Sequence, residues 1–331
     1  MNVKLSRIER LLIPLVGLAC RGRLLIQALG HASRIYPGSD HQSSIRRCRF
    51  LVRTAWYRSE SSTWFAFLEG SVWRKRQVIR DPELAEHLHR PSRRSDLSAR
   101  ERLSLAIGHW QLLEGMPWSA CIERPLLLAT LRCKDGVDRQ LVLTSAGRFN
   151  KEGGCCLHLQ CGDDVLFSLV FSLSKPGDAS QPMVLDVGCL QGPLTSAGKD
   201  SVRQTTKALY GLRPRELLLS GLRAVGATCQ SRWIVGVGSK RHVYRHWRKR
   251  RQISFDYDKY WAERGGVRNT AGDFEMSVAE KEVKLDDVPS RKRAEFKRRQ
   301  HLLKRMRVDI MATLDLGTAS VVDAEFAEFQ A

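Results

Sequence analysis

The chain has 331 residues, 43% of them hydrophobic, with eight Trp, which excludes a wholly disordered protein and leaves room for two domains. Its 55 Lys and Arg against 35 Asp and Glu give a formal charge of +20 and a pI near 10, so the partners it favours are anionic: nucleic acid, acidic phospholipid, lipopolysaccharide or a phosphorylated cofactor. Nine cysteines in no regular framework argue against a disulfide scaffold and for reduced thiols in the cytoplasm.

At the N-terminus Lys4, Arg7 and Arg10 precede the apolar run Leu11–Cys20, which stops at Arg21 and is shorter than the about 20 residues that span a bilayer. Leu24, Leu25, Ile26 and Leu29 continue the apolar positions past the arginines, and the pattern reads as a basic amphipathic helix docked on the main domain. Peripheral attachment to the inner membrane and export are the alternatives.

Residues 1–120 read as a helical region. Ser43–Tyr57 places Ile45, Cys48, Val52 and Trp56 opposite Arg46 and Arg53. Asp81-Pro82 is a helix start, and Ser98 with Glu101 forms a capping box opening a helix with Leu103, Ile107, Trp110 and Leu113. The tryptophans read as core. His87 and His89 point about 200° apart on a helix, so they do not share a metal.

Residues 121–275 read as an α+β domain. Pro125–Arg132, Gln140–Arg148, Gly154–Cys161, Val165–Leu173 and Met183–Leu190 are consecutive strands separated by turn signals such as Asp135-Gly136 and Gly162-Asp163. Links this short predict an antiparallel meander. In the run at 155–161, strand alternation puts Cys155 and Cys161 on one face and Cys156 and His158 on the other, so they cannot converge on one ion, and no metal is expected. Helices follow over Asp200–Tyr210 and Pro214–Cys229, the second burying Leu217, Leu218, Leu222 and Val225, then a strand over Arg232–Val237. Meander, helix pair and returning strand resemble the acyl-CoA-dependent N-acyltransferase (GNAT-type) fold in architecture. That resemblance implies a cofactor pyrophosphate on the loop after Leu190, where this sequence lacks the fold's usual phosphate-loop pattern; acyl-CoA use stays open.

Several groups here could carry chemistry. Gln191-Gly192 closes a strand with an amide that can donate and accept, or that ties down its own turn. Arg213 and Arg215 flank a helix start and offer an anion site, which Lys207 and the Lys240-Arg241-His242 segment could extend; surface salt bridges are the bland alternative. Asp256 and Asp258, with Tyr257, Trp261 and Glu263 close by, could supply a general base beside rings that hold an acyl chain or sugar. The same carboxylates could equally neutralise Arg245 and Arg248.

Residues 276–331 read as a basic helix and tail. Arg291–Arg307 holds nine Lys and Arg against one acid, Glu295, while Leu303, Met306, Ile310 and Leu314 make one apolar stripe.

LQGP at Leu190–Pro193, TKALYGLRP at Thr206–Pro214, KRHVYR at Lys240–Arg245, FDYDKYWAERGG at Phe255–Gly266 and VPSRKRAEFKRRQHLL at Val288–Leu303 resemble, in order, the signatures of the VirK/YbjX-type bacterial family. Tyr210 departs from the pattern, which implies His there. The resemblance implies a protein that supports envelope integrity, virulence or resistance to antimicrobial peptides, with no settled chemical activity. Three readings follow: action on an anionic envelope component such as anionic lipid or lipopolysaccharide; an acyltransferase with Gln191, Arg213 and Arg215 at the cofactor and Asp256 or Asp258 as base; and non-specific nucleic-acid binding, which rests on charge alone.

Overall fold

The computed structural model describes residues 22–175, 181–193, 196–245, 255–280 and 283–316. The apolar run Leu11–Cys20, the basic stretch with Arg248 and the acidic tail from Asp323 lie outside the described residues. The chain divides into two compact units, Met1–Ser92 with Asp96–Glu114, and Arg93–Ser95 with Gly115–Ala331.

The first unit is helical: α1 (Gly22–Ile35), α2 (His41–Trp56), α3 (Arg58–Glu69), α4 (Val72–Arg80), a 3-10 turn over Pro82–His89, and α5 (Ala99–Glu114). Side chains start these elements by taking up free N–H groups. Asp40 accepts from Ser43 N at 3.0 Å, and Asp81 from Glu83 N at 3.0 Å. Ser98 and Glu101 bond reciprocally, as a capping box requires, at 2.8 and 3.3 Å. Phe50, Leu51, Trp64, Phe65, Leu68, Leu84, Leu88 and Leu113 form the core.

α2 departs from the expected stripe. Val52 and Trp56 face solvent, Trp56 at 81% exposure, and the buried side is Ser44, Arg47, Cys48, Leu51 and Thr54. Arg47 is inside because its guanidinium donates to the carbonyls of Tyr36 at 2.7 Å and Gly38 at 2.6 Å, which have no backbone donor among the described residues.

The second unit is built on an eight-stranded, mostly antiparallel open sheet in the order β1-β2-β3-β4-β5-β6-β8-β7 among the described residues. β1 (Leu126–Arg132), β2 (Asp138–Ser145), β3 (Cys155–Cys161), β4 (Asp164–Ser174) and β5 (Val184–Gln191) form the meander expected from their turns. α6 (Ser196–Ala208) and α7 (Pro214–Thr228) then carry the chain over to β6 (Trp233–Gly236). That crossover allows β6 to pair parallel with β5, from Val184 opposite Trp233 to Val187 opposite Gly236. α8 (Tyr257–Ala262), β7 (Val267–Arg268), β8 (Phe274–Ser277) and α9 (Ser290–Leu316) complete the unit.

β5 is the central strand, buried from Val184 through Leu190. α7 covers one face with Leu217, Leu218, Leu222 and Val225, all fully buried. α9 packs Leu303, Met306, Ile310 and Leu314 against α7 and β1, so the basic helix belongs to the same core. No described helix is long and apolar enough to cross a membrane.

The pairing of β4 with β5 runs from Val170 opposite Cys189 to Phe171 opposite Val187, which leaves Gly188 as a bulge. A Cβ on Gly188 would lie 1.9 Å from the Glu152 carbonyl oxygen, and one on Gly153 would lie 2.7 Å from the Phe171 carbonyl oxygen. Two glycines thus let the 146–154 turn lie directly on β4 and β5, which brings the Glu152 backbone up to the bulge.

Candidate functional site

The end of β5, the 240–245 segment and the start of α8 meet through one side chain, Tyr257. Its hydroxyl accepts from Leu190 N at 3.1 Å and donates to Cys189 Sγ at 3.8 Å, and its ring stacks on His242 with centroids 5.2 Å apart. Tyr257 and His242 are both buried. Burial pushes the Tyr257 hydroxyl well above its ordinary pKa and, with help from the Arg94 charge, pulls His242 down to about 4. Both groups are therefore neutral near pH 7.

The carboxylates of the same motif lie further out. Asp256 is exposed and caps α8, accepting from Lys259 N at 3.0 Å. Asp258 accepts from Ser239 N at 2.7 Å and pairs with Arg268; burial works against its charge, but these bonds outweigh that and hold its pKa below the usual range. Glu263 is exposed beside Arg264, at 3.3 Å. Trp261 is fully buried, its Nε1 donating to Val237 O at 3.0 Å, and its indole fills the space a side chain on Gly236 would need.

Gln191 is half-buried, with Nε2 donating to Gly192 O at 3.0 Å, and Gly192 abuts the Phe167 ring. Lys207 and Arg213 are exposed. Arg215 lies 3.4 Å from Glu216, with its guanidinium over the rings of Phe255 at 5.7 Å and Tyr260 at 5.3 Å. The structure therefore brings Arg215 to the aromatic side of α8, and Leu190 to Tyr257 and His242. Among the described residues no hydrogen bond or ion pair joins Gln191 or Arg213 to Asp256, Asp258 or Glu263.

Two features escaped the sequence reading. One is a buried ion network beneath Tyr257. Arg94 donates to Asp186 at 2.6 Å and to Asp273 at 2.8 Å, Arg93 reaches Asp186 at 3.2 Å, and Arg241 reaches Asp273 at 2.6 Å. Charges are stable at this depth only because they are paired. The signal was there to be read: Asp186 interrupts an otherwise apolar strand.

The other feature is a groove of about 340 Å³ between the end of β1, Tyr210 and α9. Leu131, Leu302 and Met306 line it with apolar, buried side chains, and Arg132, Lys297, Arg298 and Arg305 stand exposed around it. Among the described residues none of these four cations is paired with a carboxylate. Tyr210 holds its ring at the rim from a left-handed backbone (φ 54), and Arg299 Nε donates to its carbonyl at 3.2 Å. A non-glycine residue in that region costs on the order of 1–3 kcal/mol and persists only where its surroundings impose it.

The chain is 28% identical over 321 residues to "Uncharacterized protein YbjX" of Escherichia coli (strain K12), a match covering 93% of this chain and 94% of that one. Two proteins of Haemophilus influenzae (strain ATCC 51907 / DSM 11121 / KW20 / Rd), each named "Uncharacterized protein", match shorter parts. One is 31% identical over 130 residues, 39% of this chain and 44% of its own, and the other 28% over 141 residues, 43% and 45%. No solved structure matches. The family described as "Protein of unknown function (DUF535)" matches residues 40–312, which bears out the YbjX-type resemblance of the motif blocks, and the chain belongs to that family.

Proposed function

We propose that the sheet unit binds an anionic amphiphile of the bacterial envelope, a lipid that carries phosphate beside acyl chains, in the groove between β1 and α9. The observation that supports this reading is the pairing of chemistries there. Apolar Leu131, Leu302 and Met306 suit a chain, while Arg132, Lys297, Arg298 and Arg305 suit phosphate oxygens and have no carboxylate competing for them among the described residues. A nucleic acid would use the cations but has no need of the apolar lining. The formal charge of +20 adds long-range attraction to an anionic surface. A role in envelope integrity, virulence or antimicrobial-peptide resistance, exerted at the inner face of the membrane, fits such a ligand.

Flotation with vesicles tests the reading, using neutral phosphatidylcholine, the same lipid with phosphatidylglycerol, and lipopolysaccharide, with duplex DNA as a competitor. The protein should float with the anionic lipids only, and retain them against DNA at physiological salt. The variant Arg132→Glu/Arg298→Glu/Arg305→Glu should lose on the order of 100-fold in affinity or more, since each cation near an anionic surface contributes about 1 kcal/mol. Equal binding by that variant, or displacement by stoichiometric DNA, would count against the groove.

Acyl transfer is the second reading, favoured by one observation. β5 closes an antiparallel meander, pairs parallel with β6 only as far as Val187 and runs on to Gln191, which leaves the end of β5 open beside that pair. On this reading Arg213, Arg215 and Gln191 face the cofactor and Asp256 or Asp258 takes the proton. A thermal shift with acyl-CoA decides it: no stabilisation at about 1 mM removes the reading.

A further inference from the structure

Cys189, His242 and Glu152 are far apart in sequence, yet one donor atom from each lies within 4.8 Å of the other two, and all three residues are buried. The fold does specific work to assemble them. The Gly188 bulge sets Cys189 at the point where β5 outruns its parallel partner. The lack of a side chain at Gly188 lets the Glu152 backbone lie against the same strand. His242 is presented by an isolated bridge to Arg94, and its Nδ1 accepts from Tyr244 N at 3.3 Å, which leaves Nε2 buried with no hydrogen-bond partner among the described residues.

We propose that Glu152, Cys189 and His242 form a site for a divalent transition-metal ion of zinc type, with one coordination position left for a small ligand. Sulfur, nitrogen and carboxylate oxygen are the donor set zinc takes, and three protein ligands with an open fourth position is the pattern of sites that act on a ligand. The charges balance: a thiolate and a carboxylate bring two negative charges to a divalent cation, so the loaded site is neutral in the core.

Metal bonds of about 2.0 to 2.3 Å at tetrahedral angles place donors about 3.3 to 3.8 Å apart, so the three have to draw in by ~1 Å, within the reach of side-chain rotation. In the loading step the Cys189 S–H bond breaks, a sulfur–metal bond forms, and the proton leaves to solvent. His242 binds through Nε2 and carries its proton on Nδ1, which gives up the long Tyr244 hydrogen bond, a small loss beside metal ligation. The Tyr257 hydroxyl donates to Cys189 Sγ, the kind of outer contact that steadies a metal-bound thiolate. This site is independent of the lipid groove, which is lined by other residues.

The test is Co²⁺ titration of the full chain after chelator treatment and dialysis, read by absorption. One equivalent should give tetrahedral d–d bands in the visible and a thiolate-to-cobalt charge-transfer band in the near ultraviolet, and Zn²⁺ should displace it. Cys189→Ser should remove the charge-transfer band, and His242→Ala should weaken binding by about tenfold or more. Cys133→Ser should leave both unchanged, because Cys133 follows β1 at the far edge of the sheet from β5, where its Sγ donates to Leu131 O at 3.4 Å. Wild-type protein that takes up no metal in the micromolar range overturns the proposal whatever the variants do. So does a charge-transfer band that survives Cys189→Ser in a variant whose circular dichroism matches wild type. Native mass spectrometry of the wild type with Zn²⁺ gives the stoichiometry without any variant.

Discussion

Replacing Gly188 by Ala puts a methyl group 1.9 Å from the Glu152 carbonyl oxygen and 2.8 Å from its carbonyl carbon. Carbon and oxygen settle no closer than about 3.3 Å, so the 146–154 turn or β5 has to shift by more than ~1 Å. The turn is held by Glu152 N to Phe149 O at 2.8 Å, Ala146 N to Gly154 O at 3.0 Å, Gly154 N to Phe171 O at 3.1 Å and Arg93 N to Lys151 O at 2.6 Å. Breaking two or three of these in a buried setting, at about 1–3 kcal/mol each, predicts a loss of roughly 3–6 kcal/mol. Urea unfolding followed by Trp fluorescence measures it. Gly108→Ala is the control: this glycine sits inside α5 with nothing within 4 Å of a Cβ, and the change should stabilise by about 1 kcal/mol. A loss below ~1 kcal/mol for Gly188→Ala would refute the claim that the bulge and the turn depend on each other.

Arg94→Met should cost about 3–5 kcal/mol in the same assay, because it strips Asp186 and Asp273 of a shared partner while both stay buried; a cost near zero would mean the network relaxes into solvent. Burial lowers His31, His158 and His242 to about 4 and His89 to about 3, with neighbouring arginines assisting in each case. Their folded values lie below the ordinary 6.5, so the unfolded chain takes up the protons first. Stability is then complete above about pH 6.5 and falls below it, by up to about 1.4 kcal/mol per pH unit for each histidine, until the folded forms titrate. Thermal melts between pH 7.5 and about 4.5 should show this decline, and His89→Gln should flatten it; a melting temperature constant over that range would contradict the burial argument.

Much of the sheet could be read from the chain because its turns are local. Asp135-Gly136 and Gly162-Asp163 mark tight links, and each strand between them matches its expected span to within a few residues, apart from the ends of β2. The stripes of α7 and α9 were legible for the same reason, since a helix has only one apolar side to bury. The parallel pairing of β5 with β6 and the bulge at Gly188 were not, because both depend on register across segments joined by two helices. Val52 and Trp56 misled the reading of α2: both side chains stayed out, and Arg47, which the reading did not use, went inside to serve two carbonyls. The motif at 255–266 was rightly singled out as dense in constraint, yet the group that reaches the end of β5 is the Tyr257 hydroxyl. Glu152, Cys189 and His242 left no spacing to find, since a bulge and a glycine contact bring them together. The groove beside α9 was half legible, as charge without its apolar lining.

The measurement that bears most directly on the proposed function is photo-crosslinking with a phosphatidylglycerol that carries a diazirine in its acyl chain, followed by mapping of the labelled peptides. Label should fall on the 297–306 stretch of α9, on the end of β1 and around Tyr210, and should disappear from them in the Arg132→Glu/Arg298→Glu/Arg305→Glu variant. Label spread over exposed basic segments elsewhere, unchanged by that variant, would contradict a built lipid site and leave only a charged surface.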